Sequence, residues 1–434
     1  LHIMTEMRKK LFLCLPCICL VNLFLYGFVF LSVSLSHHPP ASGASRDKLR
    51  PSPGQPVQAG GAFWATGLDE SALWNLLQHM LDRRHNPLLR ANASRPAGNG
   101  SEPPEGGATP GPRPPLAGIW AEQREWSGPC RRDPRMAAHL GDFNTLPGHV
   151  QDFVVSMHCR EYPLLIDQPR LCQGGAPTLL LAIKSQVGNF ENRQAIRETW
   201  GRGGQLGPWT VQTVFLLGRQ DPSLGSYPDL GGLLQLEQQL HPDILQWDFR
   251  DTFFNLTLKD VLFLRWFARH CPAAGFVFKG DDDVFLNTGE LLRFLAAQEA
   301  AGASRDLFVG EVIVQAAPMR DPALKYFVPE SFFKGGYPPY AGGGGVVYSG
   351  PLALRLARVT ERVTLFPIDD VYLGMCLLRL GVAPSTHPGF RTFDIEEKDR
   401  AEPCAHRHLL LVHRRSPSQT IALWRRLTDP QLQC

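Results

Sequence analysis

The sequence predicts an α/β domain built on a Rossmann-like, mostly parallel sheet with helices on both faces, and three observations predict it. From about residue 150 onward, short apolar runs of strand length alternate with longer runs of helical period. Two clusters of aspartates, in "FVFKGDDDVFLN" and "TLFPIDDVYLG", follow or open such runs, at the places where sheets of this kind present ligands. The chain is 434 residues long with 44% hydrophobic and 10% aromatic residues, enough for a sizeable packed core. The net charge of +3 is too mild for a nucleic-acid-binding footprint, so no nucleic-acid partner is expected.

Arg8, Lys9 and Lys10 precede an almost uninterrupted apolar run over residues 11–35. At roughly 25 residues it is long enough to span a bilayer and longer than the apolar part of a cleaved secretory signal. The basic flank then places residues 1–10 in the cytosol and the rest of the chain in a lumen. Residues 36–149 are rich in Pro, Gly, Ser and Ala and read as a stem before a globular domain over 150–434. One island interrupts the stem. "DESALWNLLQHMLDRR" places Asp69 as an N-cap and Leu73, Leu76, Leu77, Met80 and Leu81 on one helical face, suited either to self-association or to packing on the domain.

Of the ten cysteines, Cys14, Cys17 and Cys19 lie in the apolar run. The others are scattered without CxxC pairs, which favours disulfides in an oxidising lumen, with one thiol left over by the odd count. Sequons at Asn92, Asn99 and Asn255 are glycosylation sites in such a compartment, although Asn255 is equally placed to cap a helix.

Within the domain, "TLLLAIKS" reads as a buried strand, "FENRQAIRETWG" as a helix, "TVFLLG" as a strand, "TLKDVLFLRWFARHC" as an amphipathic helix and "FVFK" as a strand. In an extended chain Asp281 and Asp283 point to one side, where two carboxylates suit Mg²⁺ or Mn²⁺ and a cation relieves their repulsion. Asp369 and Asp370 open an apolar helix, either simply as a good helix start favoured by its dipole or with one of them as a general base that the same dipole should keep ionised. Gly342 to Gly345 permit either a structural turn or close backbone approach to a ligand. Arg193 and Arg197 lie four apart on a helix face, either within reach of a phosphate or merely solvated. His413 follows a short apolar strand, as a structural residue or a metal ligand.

"RQAIRETWG", "FFNLTLKD", "FKGDDDVF", "YPPYAGGGG" and "FPIDDVYLGMC", in this order, resemble the β-1,3-glycosyltransferases of animal Golgi membranes, glycosyltransferase family 31, and within it the β-1,3-N-acetylglucosaminyltransferases that build polylactosamine. The resemblance implies a GT-A fold and an inverting single displacement with UDP-N-acetylglucosamine as donor and Mn²⁺ or Mg²⁺ as cofactor. It implies Asp283 as principal metal ligand with Asp281 and His413 beside it, and Asp281 and Asp282 towards the ribose and uracil. It assigns Arg193, Arg197, Lys279, Gly343 and Gly344 to donor binding and Asp370 to the acceptor hydroxyl. The implied partners are a glycan acceptor on a glycoprotein or glycolipid, the Golgi membrane, and further copies of this chain or of related transferases. A β-1,3-galactosyltransferase or a catalytically silent Golgi partner or lectin are the competing readings, and the intact aspartate clusters speak against the silent one.

Overall fold

The computed structural model describes residues 69–85, 130–220 and 229–434. The apolar run over 11–35 and the sequons at Asn92 and Asn99 lie outside the described residues. Among the described residues, no helix is long and apolar enough to cross a membrane.

In chain order the first elements are α1 (Leu73–His85), α2 (Gly148–Ser156), β1 (Leu164–Ile166), β2 (Leu179–Lys184), α3 (Phe190–Glu198), β3 (Gly204–Leu206) and β4 (Trp209–Arg219). They are followed by α4 (Gly231–Leu240), β5 (Ile244–Arg250), α5 (Leu256–His270), β6 (Phe276–Asp281), β7 (Phe285–Leu286), α6 (Thr288–Ala300), β8 (Phe308–Gly310), β9 (Val312–Ile313) and β10 (Tyr340–Ala341). The chain closes with β11 (Gly345–Ser349), α7 (Gly350–Val359), α8 (Asp369–Leu380), β12 (Ser385–Thr386), β13 (Phe390–Arg391), α9 (Pro403–His406), β14 (Leu411–Val412) and α10 (Pro417–Leu427).

The main sheet runs β1-β5-β4-β2-β6-β11-β8-β12, with β3 paired to β4. Strands β5, β4, β2 and β6 form a parallel centre, whereas β1, β3 and β11 join antiparallel. The sheet is therefore mixed, and the expectation of a mostly parallel sheet holds only for its centre. Apolar strands buried on both faces read alike in either direction, so composition alone does not reveal the reversal. Successive residues of β2 feed opposite layers: Leu180 and Ala182 pack with α5, α7 and α8, while Leu179, Leu181 and Ile183 pack with α3, α6 and α10. Gly381 closes α8 with φ 65°, a left-handed conformation that glycine adopts without strain.

The folded unit begins before residue 150. Met136, Leu140 and Leu146 enter the same core as Val150, and helix α1 is docked on it. Leu73, Trp74, Leu77 and Leu81 are buried, the Trp74 indole N–H donates to the Thr364 carbonyl at 3.1 Å, and Asp82 pairs with Arg379. The island thus packs on the domain, and Asp69 caps a turn by accepting from the Ser71 N–H rather than the helix itself. At the start of α1 the Leu73 and Trp74 N–H groups donate to the carbonyls of Ser331 and Phe332, which fastens the long β9–β10 connection to it.

Disulfides join Cys130 to Cys159, Cys172 to Cys271 and Cys404 to Cys434, and Cys376 is the buried free thiol among the described residues.

Candidate active site

Strands β2 and β6 end in register, Lys184 opposite Asp281, and this edge of the sheet carries the site. A small sheet completes it. Strand β14 pairs antiparallel with β7, Val412 opposite Phe285, so His413 arrives over the turn that holds Asp283. The His413 Nε2 lies 3.2 Å from Asp283 Oδ1 and 4.0 Å from Asp281 Oδ2. Its other nitrogen, Nδ1, is 2.9 Å from the Thr392 carbonyl. A carbonyl can only accept, so Nδ1 carries a proton; Nε2–H donates to Asp283 in the absence of a cation, and in a neutral ring Nε2 is the nitrogen whose lone pair is free to join the two carboxylates as a ligand.

These three side chains bring one donor atom each within 4.8 Å of one another, and their oxygen and imidazole donors suit Mn²⁺ or Mg²⁺. Electrostatics point the same way. Around this edge two buried lysines, Lys184 and Lys279, face five carboxylates, Asp260, Asp281, Asp283, Asp369 and Asp370. The residues present therefore fit a divalent cation. Without it, burial works to raise the Asp283 carboxyl, but the bond and the charge of His413, with smaller help from a backbone N–H and Lys184, together outweigh burial and lower it. For His413 burial pulls down and Asp283 pulls up, with a net rise.

Asp282 is turned away from this trio. Its Oδ2 accepts from Ser185 Oγ at 2.6 Å and Asn189 Nδ2 at 2.9 Å, and burial raises its carboxyl to about 6 in spite of those bonds. It ties the turn to the β2–α3 loop.

The second carboxylate pair sits at the start of α8, next to the same lysines. Lys184 Nζ is 2.8 Å from Asp369 Oδ2 and 3.0 Å from Asp281 Oδ1, so one ammonium links the two clusters. Lys279 Nζ is 2.6 Å from Asp260 Oδ2, 3.5 Å from Asp369 Oδ2 and 4.0 Å from Asp370 Oδ1. Burial pushes Asp369 up, yet Lys184 and Lys279 overcome it and hold the carboxyl well below the usual carboxylate range. Asp370 differs. Burial first, then the charge on Asp369, raise it to about 8. The helix dipole was expected to keep this pair ionised, and for Asp370 that expectation fails, since a dipole contribution of about 1 kcal/mol is outweighed by burial beside an ionised neighbour. A carboxylate poised near 8 is better matched to proton abstraction near neutral pH than an ordinary one.

Two glycines of the Gly342–Gly345 run explain why it has no side chains. A Cβ on Gly343 would fall 2.8 Å from Asp370 Oδ2, and one on Gly344 would meet His413 at 3.4 Å. The close approach is to Asp370 and to His413, and it threads backbone between the two halves of the site. Beyond it stand Tyr326 and Tyr340, whose phenols are raised by burial and then by Asp370.

Three predicted donor-binding residues face elsewhere. Arg193 is fully buried, and its five N–H groups go to Glu237, the Ser185 hydroxyl and the carbonyls of Gln186 and Val187. Arg197 is held by Asp243 and Glu237 at 2.7–2.8 Å. Arg193 ties α3 to α4 and the β2–α3 loop, and Arg197 ties it to α4 and the residue before β5, so neither reaches out to a phosphate. Lys279 is spent on Asp260 and the α8 pair. Asn255 stands at the start of α5 without capping it, and its amide donates to the Arg250 carbonyl at 2.7 Å. Sequence reasoning missed Lys184, Ser185 and Asn189. A lysine closing the otherwise apolar run "TLLLAIK" is the signal that could have found the first, since a charge there must be paired.

A mixed α/β sheet whose strand ends hold an Asp, Asp and His trio, joined by one lysine to Asp369 and through it to its raised neighbour Asp370, is the layout of an enzyme that transfers a group from a charged donor. A family model described as galactosyltransferase matches residues 191–388. The chain is 48% identical over 372 residues to mouse N-acetyllactosaminide beta-1,3-N-acetylglucosaminyltransferase 2, covering 86% of this chain and 88% of that one. It is 45% identical to human acetylgalactosaminyl-O-glycosyl-glycoprotein beta-1,3-N-acetylglucosaminyltransferase, over 68% and 77%. With human UDP-GlcNAc:betaGal beta-1,3-N-acetylglucosaminyltransferase 8 the identity is 44%, over 69% and 75%. The chain belongs to this galactosyltransferase family of glycosyltransferases.

Proposed function

We propose that the chain transfers N-acetylglucosamine from UDP-N-acetylglucosamine, with inversion and in β-1,3 linkage, to the galactose of N-acetyllactosamine-type glycans on glycoproteins or glycolipids. The names of its relatives support this choice of donor and acceptor. The observation that carries the mechanism is the Lys184 ammonium, which joins Asp281 on one side to Asp369, and so to Asp370, on the other. An inverting transfer needs one base opposite a leaving group, whereas a glycoside hydrolase needs two carboxyls flanking the bond as acid and base.

Asp370 takes the proton from the acceptor 3-hydroxyl as its oxygen bonds to the anomeric carbon and the bond to the diphosphate breaks. Asp369, pinned by Lys184 and Lys279, fixes the Asp370 backbone at the helix start and sets its basicity. Asp281, Asp283 and His413 would hold Mn²⁺ or Mg²⁺, which supplies neutralisation of the charge that develops on the departing diphosphate. Tyr326 and Tyr340 form the wall against which an acceptor sugar lies.

The fold of this domain is of GT-A type in our reading, on the parallel centre of the sheet and the aspartates at its edge. Residues 11–35 anchor the chain in the Golgi membrane with the domain in the lumen, a reading supported by the three disulfides, which need an oxidising compartment. The galactosyltransferase description of the family model favours one second reading, the same chemistry with UDP-galactose. Incubating the full-length protein and Mn²⁺ with UDP-GlcNAc, UDP-Gal or UDP-GalNAc and a lactosamine acceptor separates them. Transfer from UDP-GlcNAc is expected, and transfer from UDP-Gal alone or from no donor rejects the proposal.

A further inference from the structure

A cavity of about 660 Å³ lies next to the proposed transfer site and has no part in the mechanism above. Its volume falls within the range of about 300–1,000 Å³ common to ligand sites. The link to the site runs through the turn between β5 and α5. Phe253 lines the cavity and packs edge-on against Tyr326, with 5.3 Å between ring centres. That turn is fastened to the site itself. Asp251 pairs with buried Lys259 at 2.9 Å, and the same ammonium donates to the Ser185 carbonyl at 2.7 Å, while Ser185 donates to Asp282. The phenol of Tyr326 is raised by burial and by the charges of Asp370, Asp369 and Asp281, so one ring stands within electrostatic reach of the base and in contact with the cavity wall.

The lining is cationic. Arg132 and Arg250 both pair with Asp152, the second at 2.6 Å, so two guanidinium groups meet on one carboxylate. Lys325 adds a third cation. Its ammonium lies 4.3 Å over the Phe253 ring and 5.6 Å from that of Tyr326, and among the described residues no carboxylate lies within ion-pair distance of it. Aromatic faces suit the C–H surfaces of sugars, and guanidinium and ammonium groups suit sulfate and carboxylate oxygens.

We propose that this cavity is a second acceptor subsite, which takes a sulfate ester or carboxylate carried by an inner sugar of the acceptor glycan while the terminal sugar lies at Asp370. This rests on the transferase reading above. Phe253 and Tyr326 then form a continuous path between the two, with Lys325 as the group that selects for charge.

The test compares kcat/KM of the full-length protein on acceptors that share one reactive terminus. One is neutral, one carries a sulfate on an inner sugar, one carries a carboxylate-bearing branch, and one is neutral but attached to an acidic peptide. The sulfated or carboxylated glycan is expected to be used about tenfold better than the neutral one at low salt. That ratio should shrink as salt is added and fall to about threefold or less in Lys325→Gln. Equal use of charged and neutral glycans by the unaltered protein overturns the proposal, as does a ratio unchanged in both Lys325→Gln and Arg132→Gln, the second variant deciding if the first does not fold. A preference seen only with the acidic peptide also overturns it, since the cavity then reads protein. If no acceptor is used at all, the transferase reading fails, and calorimetry of sulfated against neutral glycan still decides the cavity: equal or absent binding overturns the proposal.

Discussion

Replacing Lys184 by Met removes the one ammonium that holds both halves of the site, and keeps most of the side-chain volume. Lys184 is buried, and its loss leaves Asp369 with Lys279 at 3.5 Å as its remaining ammonium and Asp281 with none of the lysine contacts it now has. Breaking a buried ion pair by removing one partner costs about 3–5 kcal/mol. At about 2 °C per kcal/mol for a domain of this size, Tm should fall by about 6–10 °C. Rate is affected in a definite direction as well. Lys184 works to lower the Asp370 carboxyl, which stands at about 8, so its removal lifts that value further. The base acts when ionised, so the rise of kcat with pH should move to higher pH and the rate at pH 7 should fall. Thermal unfolding and a pH–rate profile read the two effects. Adding Asp369→Asn to Lys184→Met should recover part of the Tm loss, because the uncompensated charge is then gone. An unchanged Tm together with an unchanged pH profile in Lys184→Met would refute the linking role.

Asp283→Ala should leave the fold intact and abolish Mn²⁺-dependent UDP binding, measured by calorimetry with and without chelator, because it removes a ligand and no core volume. Arg193→Ala should lower Tm through loss of the Glu237 pair and leave KM for the donor sugar nearly unchanged in whatever protein remains folded; a selective rise in donor KM would return Arg193 to the donor site. Trp74→Ala should cost about 3–5 kcal/mol by urea unfolding, because the indole is buried and its N–H holds the Thr364 carbonyl. A variant as stable as the parent would mean that α1 is not part of the domain.

Much of the site was legible because its signals are local. Three adjacent aspartates at the end of an apolar strand, two more at the start of an apolar helix, and a histidine after a short strand each stand out against their own neighbours. The trio of Asp281, Asp283 and His413 then needs only the β7–β14 pairing to assemble. What was not legible depends on partners far along the chain. Arg193 and Arg197 sit on a helix face that looks free until Glu237 and Asp243 arrive, 44 and 46 residues later. Lys279 looked like a donor-binding cation because Asp260 and Asp369 are invisible to any local period. The same holds for α1, whose apolar stripe fits a second copy as well as it fits the core it packs on. The raised Asp370 is a product of burial and of Asp369 together, and the helix start alone suggests the opposite.

The most direct test of the account is Asp370→Asn, with UDP binding and turnover measured on the same preparation. Asn preserves size and one acceptor oxygen but cannot take a proton. The account predicts the donor dissociation constant and Tm close to those of the parent, kcat lower by about 10²-fold or more, and the rise of rate near pH 8 gone. Turnover at the parent rate, or donor binding lost along with activity, contradicts it.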